Sequence, residues 1–227
     1  MTDFSSILKS LSESDYRNFT RKLVPNTNYE IIGVRVPKIK NLAKQYKNST
    51  EAIEFLNAPH NFYEEYFLHG LFLGYFSNDI NTVLKRVDEF LPYLDNWAIC
   101  DSTVANLKIF AKHKELLFAK LNDYIFSNNP YTVRFAIVTL LNYFLCDDYY
   151  RKAIDLVIKV KSEHYYVNMA IAWFFSIALI KRYDYTILFI KNKELSKFCH
   201  NKSIQKAIES FRIDRKTKQI LKDLKIK

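Results

Sequence analysis

The sequence predicts an all-α fold, a solenoid of stacked helical pairs, and three observations predict it. The first is a period of 34 residues. Trp97, Tyr131 and Tyr165 open equivalent segments, followed two residues later by Ile99, Val133 and Val167, then by Ser102-Thr103, Ala136-Ile137 and Ala170-Ile171. A fixed period of this size marks helix pairs that bury their apolar faces against their neighbours. The second is composition: 3 Gly and 5 Pro against 18 Phe and 16 Tyr leave little material for the tight turns of a sandwich or for a phosphate-cradling loop. The third is capacity. With 227 residues and 49% hydrophobic content the chain can bury a substantial core, and no linker interrupts it, so one domain over 1–227 is expected, its repeats clearest over 95–180.

Taken in order, residues 3–23 form an amphipathic segment in which Ser12-Glu13-Ser14-Asp15 marks a helix start. Val24-Pro25-Asn26-Thr27-Asn28 is a helix breaker followed by turn formers. In the next stretch, 29–47, Gly33 permits a tight backbone and Pro37 suits the first turn of a new helix. Ser49-Thr50-Glu51 begins a short helix that ends before Pro59. Residues 60–77 are apolar and aromatic at helical spacing, with 79–91 as their partner. After the three periodic segments, 183–193 and 201–225 read as closing helices.

Within each periodic segment, counted from its aromatic residue at about 100° per residue, positions 3, 6, 7 and 10 share one side. They hold Ile99, Val133, Val167, Ala136, Ala170, Ile137, Ile171, Leu140 and Phe174, with a more polar Ser102, Thr103 and Asn106 in the first segment, and this side is assigned to the core. Positions 1, 4, 5 and 9 point the other way and collect Trp97, Asp101, Arg134 and Trp173, together with Tyr131, Phe135, Tyr165 and Met169. Trp97 and Asp101 stand four residues apart, so they share a helix face. Two readings fit: an indole beside a carboxylate that receives a cation, or a core tryptophan beside a carboxylate serving the helix start.

Charge and cysteine usage bound the partners. The net charge is +10 with a pI near 9.3, and residues 191–227 carry twelve Lys or Arg against four acids. Such a surplus suits an anionic partner, although it would equally serve as a solubilising end. Cys100, Cys146 and Cys199 are too far apart for a Cys-x-x-Cys metal or redox pair. No signal peptide is apparent and no apolar run reaches the ~18 residues of a membrane span, so a reduced, cytoplasmic protein without cofactor or metal is expected. His60, Glu64, Glu65 and His69 lie at helical spacings, yet no His-Glu-x-x-His pattern exists, and His164 at a repeat junction is assigned a capping or solvent role.

Four features then stand in order along almost the whole chain: Gly33-Val34-Arg35-Val36-Pro37 leading into a basic helix, Trp97-x-x-x-Asp101, Arg134-x-Ala136, and Ala170-Ile171-Ala172-Trp173. In these the chain resembles the HEAT-like repeat alkylpurine DNA glycosylases, the AlkC/AlkD family of DNA alkylation repair proteins. The resemblance implies a HEAT-like solenoid with a concave, basic DNA-binding face. It further implies hydrolysis of the N-glycosidic bond of N3- or N7-alkylpurines. In that chemistry Asp101 stabilises the oxocarbenium character and orients water, Trp97 and Trp173 hold the cationic nucleotide, and Arg134 binds a nearby phosphate. Lys202, Lys206 and Arg212 of the basic end are assigned to further phosphates of double-stranded DNA, bound by a monomer.

One departure bears on activity. Active members carry a continuous helix ahead of the Gly-x-x-x-Pro motif, and here Lys22–Asn28 cannot make one. The pattern matches a branch with Leu-x-Pro-x-x-x before Ile-Gly-Val-Arg. A DNA-binding protein with weak or absent excision is therefore expected, with an active glycosylase as the alternative and a helical protein-interaction scaffold as the second.

Overall fold

Each periodic segment turns helical at its aromatic residue or, in the second, one residue before it at Pro130, and in two of them the residue before the helix caps it. In the computed structural model, which describes residues 2–146 and 148–227, Asn96 Oδ1 accepts from the backbone N–H groups of Ala98 (3.1 Å) and Ile99 (3.0 Å). Asn129 Oδ1 does the same for Tyr131 (2.9 Å) and Thr132 (3.3 Å). A side-chain acceptor there satisfies N–H groups that have no partner in a first helical turn. The period reaches beyond the three segments read from sequence: helices also begin at Tyr63, 34 residues before Trp97, and at Lys197, within two residues of the next repeat position. Among the described residues there are fourteen α-helices and no strand, so the all-α expectation holds. The apolar residues of the side assigned to the core are buried, from Ile99, Ala136 and Phe174, each at 0% exposure, to Val133 at 6%, and so is Thr103, whereas Ser102 and Asn106 of the first segment are only partly buried.

The chain divides into two compact units, Met1–His113 and Lys114–Lys227. The first comprises α1 (Phe4–Ser10), α2 (Ser14–Leu23), α3 (Val36–Gln45), α4 (Thr50–Asn57), α5 (Tyr63–Leu73), α6 (Ile80–Phe90) and α7 (Trp97–Asn106). Its centre is α5, against which α1, α3, α4, α6 and α7 all pack. Every α5 residue but His69 is buried, which is why its sequence is apolar nearly all round. Phe4 meets the rings of Tyr46, Phe55 and Phe72 edge-on at 4.9 to 5.6 Å and closes one end of this core.

Two glycines, Gly70 within α5 and Gly74 at its end, set how closely α7 approaches. A Cβ on Gly70 would strike Thr103 Oγ1, and one on Gly74 would strike Asn106. Gly33 is needed for its backbone instead. Its φ is +95°, a conformation that side chains rarely adopt. A Cβ there would also meet Arg17 Cβ at 2.7 Å. The tight backbone read from sequence at this position is present.

The second unit comprises α8 (Lys114–Tyr124), α9 (Pro130–Tyr143), α10 (Tyr150–Val157), α11 (Tyr165–Lys181), α12 (Tyr183–Lys191), α13 (Lys197–Glu209) and α14 (Arg215–Asp223). Here α11 is central, with α9 on one side, α13 on the other and α12 beside it. The expected closing helix over 201–225 is two helices. Ser210 leaves α13 with extended backbone, and Asp214 restarts the chain by accepting from Lys216 (2.9 Å) and Thr217 (3.0 Å). The chain after α14 is tied back to α13: His200 Nε2 lies 2.8 Å from the Leu224 carbonyl, and Asn201 exchanges two hydrogen bonds with Ile226.

Candidate functional site

Trp97 and Asp101 stand on α7, both partly exposed, while Ile99, Cys100, Thr103 and Val104 of that helix are buried. The indole is fixed in place. Its Nε1–H donates to the Leu23 carbonyl at 3.0 Å, so Trp97 is held by the last residue of α2. Helix α2 stops there because Val24 turns to φ −126°, ψ 61°, with Pro25 following, and no helix resumes until Val36.

The interrupted stretch is docked against the residues that lead into α7. Asp95 accepts from Thr27 Oγ1 (2.9 Å) and from the Asn28 backbone N–H (2.6 Å), and Tyr29 Oη donates to the Tyr93 carbonyl at 2.7 Å. Residues 23–29 thus form one wall beside Trp97. Sequence reading found the break and missed the docking: Asp95 and Tyr29 carry no local signal for partners more than sixty residues away. Only the clustering of turn formers at 24–28 marked the stretch as special.

The loop after this wall is held from beneath by Glu64. Its Oε2 accepts from Ile32 N–H (3.0 Å), and its Oε1 from Gly33 (2.7 Å) and Val34 (3.1 Å). Glu64 is fully buried, and burial pushes its carboxyl above the usual range although the three N–H donors pull the other way. Its neighbour Glu65 reaches back to the N–H groups of Asn61 (2.7 Å) and Phe62 (3.0 Å) at the start of α5 and also accepts from Ser5 Oγ. The Gly33 carbonyl receives the Glu13 N–H at 2.9 Å, which seats the start of α2. Glu13 in turn pairs with Arg35 and Lys38, each at 2.8 Å, and hydrogen bonds from Lys38 and Arg35 hold its carboxyl below the ordinary carboxylate range.

His60 and His69 make a contact with each other: Nε2 of the first lies 2.7 Å from Nδ1 of the second. Phe55 stacks on His60 and Phe90 on His69. The pair lines a cleft of about 600 Å³ that is shared with Tyr66, Arg86 and Tyr93. Among the described residues there is no group of three or more His, Cys, Asp or Glu that could hold a metal. Burial, then the charges of His60 and Arg86, pushes His69 down to about 3, and burial also lowers His60. Both imidazoles are therefore neutral in the folded state at pH 7 and take up protons only on unfolding. Their stabilisation is complete above the unfolded pKa near 6.5 and is lost as pH falls below it. Urea denaturation at pH 7 and pH 5 is expected to show a loss of about 2 kcal/mol attributable to His69, removed in His69→Phe. An unchanged pH dependence in that variant would contradict it.

In the second unit the stripe of positions 1, 4, 5 and 9 is packed at α9. Tyr131, Arg134, Phe135 and Thr139 are all buried, with Arg134 at 5% exposure and its Nη1–H donating to the Tyr166 carbonyl at 2.7 Å. The reason is packing: α9 abuts α11, and Tyr131 lies against His164 and Tyr166. His164 occupies the residue before α11 but makes no capping hydrogen bond with its side chain, and burial lowers its imidazole, aided by Arg134. On α11 the stripe reopens, where Tyr165 is exposed and Met169 and Trp173 are partly so. On α13, Lys202 and Lys206 are partly exposed, and Arg212 beyond it is exposed. Trp97 and Asp101 therefore belong to the first unit, and Arg134, Trp173, Lys202, Lys206 and Arg212 to the second. No helix among the described residues is long and apolar enough to cross a membrane.

A family model described as DNA alkylation repair enzyme covers residues 5–211. No curated protein matches the chain.

Proposed function

The chain belongs to the DNA alkylation repair enzyme family, and on that premise we propose that it is a double-stranded DNA-binding protein in which excision of cationic alkylpurines is weak or absent. A purine alkylated at N3 or N7 carries a positive charge and departs readily, leaving positive character on the deoxyribose. Asp101 is assigned to stabilise that charge and to orient the attacking water, and Trp97 and Trp173 to hold the cationic nucleotide against their faces. Lys202, Lys206 and Arg212 take phosphates, as does Arg134 from its anchored position beside Tyr166. No cofactor or metal enters this chemistry, and the protein is assigned to the cytoplasm as a monomer.

The observation that carries the reading is the bond from Trp97 Nε1–H to the Leu23 carbonyl. It ties one face of the candidate site to the point where α2 is interrupted, so residues that would extend α2 as a DNA-reading helix instead pack against Asp95 and Tyr93. The site residues are retained on a shortened support, which favours binding over rapid turnover. A fully active glycosylase is the alternative, favoured by the shared exposure of Trp97 and Asp101 on α7.

The test is single-turnover release of 7-methylguanine and 3-methyladenine from alkylated duplex DNA, read beside duplex binding. Wild type is expected to bind duplex with weak or no base release, and Asp101→Asn to lower any release by about tenfold or more while binding is kept. Release untouched by Asp101→Asn would remove that residue from the chemistry. Absence of duplex binding by wild type would sink the whole reading and favour a protein-interaction scaffold.

A further inference from the structure

Resting on the DNA-binding reading, we infer that α11 and α13 form a two-rail strand-binding surface, with the aromatic rail Tyr165–Met169–Trp173 on α11 and the cationic rail Phe198–Lys202–Lys206 on α13. Residues four apart share a helix face, so each triplet lines one side of its helix with about 6 Å of rise between rungs. All six side chains reach solvent, with Tyr165 at 57% and Phe198 at 39% exposure and the others partly exposed. The rails are neighbours. α11 and α13 pack on each other, and their first rungs touch, the Tyr165 and Phe198 rings standing 6.0 Å apart at 60°.

Chemistry selects the occupant. Two large rings exposed side by side are expensive to leave in water, and a lone exposed aromatic would call for no explanation. On α13, Lys197, Lys202 and Lys206 stand against one acid, Glu209, and both helices start at the end where the rings sit, so their N-terminal dipoles add to the positive field. An anion with apolar groups spaced along it fits this surface. A DNA strand has that character: its phosphates sit on Lys202 and Lys206, and its sugar and base edges lie along Tyr165, Met169 and Phe198. Tyr165, Met169 and Phe198 thereby become positioning residues that deliver the strand to Trp173.

The experiment is fluorescence anisotropy of a labelled, undamaged short duplex with the full-length protein across a salt series. Tyr165→Ala combined with Phe198→Ala is expected to weaken binding about tenfold at every salt concentration, with the slope of log K against log[salt] unchanged, because apolar contact with sugars and base edges releases no counterions. Tyr165→Phe with Phe198 intact should bind as wild type does. Lys202→Ala should lower the slope by about one phosphate contact. If wild type binds duplex and the double variant binds within about twofold of it, the rail assignment fails while the DNA reading stands. A slope altered by the aromatic double variant would also overturn it, since the rings would then only be propping the lysines. Loss of binding to anionic phosphatidylserine vesicles, with duplex binding intact, would reassign the surface to a membrane. Failure of wild type to bind duplex at all removes the premise.

Discussion

Glu64→Ala is expected to destabilise the first unit by about 3–5 kcal/mol, enough to unfold a marginally stable domain at growth temperature. The substitution strands the buried N–H groups of Gly33 and Val34 and the part-buried one of Ile32, at about 1–3 kcal/mol for each buried group. Glu64→Gln should cost roughly half as much. Its carbonyl can stand where Oε1 accepts from Gly33 and Val34, and only Ile32 loses its partner. Chemical denaturation measures both, and an alanine variant within about 1 kcal/mol of wild type would show that the loop does not depend on this carboxylate. Function should follow stability here. The loop held by Glu64 seats α2 through Gly33 and Glu13, and α2 in turn holds Trp97 through Leu23.

The pair Gly70→Ala with Gly74→Ala is expected to cost about 2–4 kcal/mol, because each added methyl lands on α7 and overpacking of a filled core costs about 1–3 kcal/mol. At Gly74 the obstruction includes the Asn106 backbone, which no side-chain rotation relieves, its carbonyl carbon lying 2.9 Å from the added Cβ. Helix α7 must move outward, and Trp97 and Asp101 move with it. Base release should therefore fall further than duplex binding does. Equal falls in both would mean that the variant is merely less folded.

Much of this architecture is written locally. Asn96 and Asn129 announce their helices one residue ahead, Pro25 ends α2, and the apolar positions of each periodic segment point inward as their spacing requires. What was hidden is what depends on distant partners. His60, Glu64, Glu65 and His69 share helical spacing in sequence, but Glu64 and Glu65 are taken up by backbone N–H groups, while the two histidines meet through one ring nitrogen each. Arg134 carries the residue type of a phosphate binder, yet its burial follows from α9 lying against α11, a contact between residues 32 apart. The break at 210–214 did have a local signal, since Asp214 precedes Thr217 by three residues in the manner of a capping residue.

The placement of Trp97 in one unit and Trp173 in the other gives the protein a built-in optical label for each half. These are its 2 tryptophans, so Trp97→Phe leaves emission from the C-terminal half alone and Trp173→Phe from the N-terminal half alone. Melting curves of the two single-tryptophan proteins, overlaid, would reveal whether the halves come apart together or in sequence. Coincident curves would make the protein one cooperative body in solution, and separated curves would identify which half yields first.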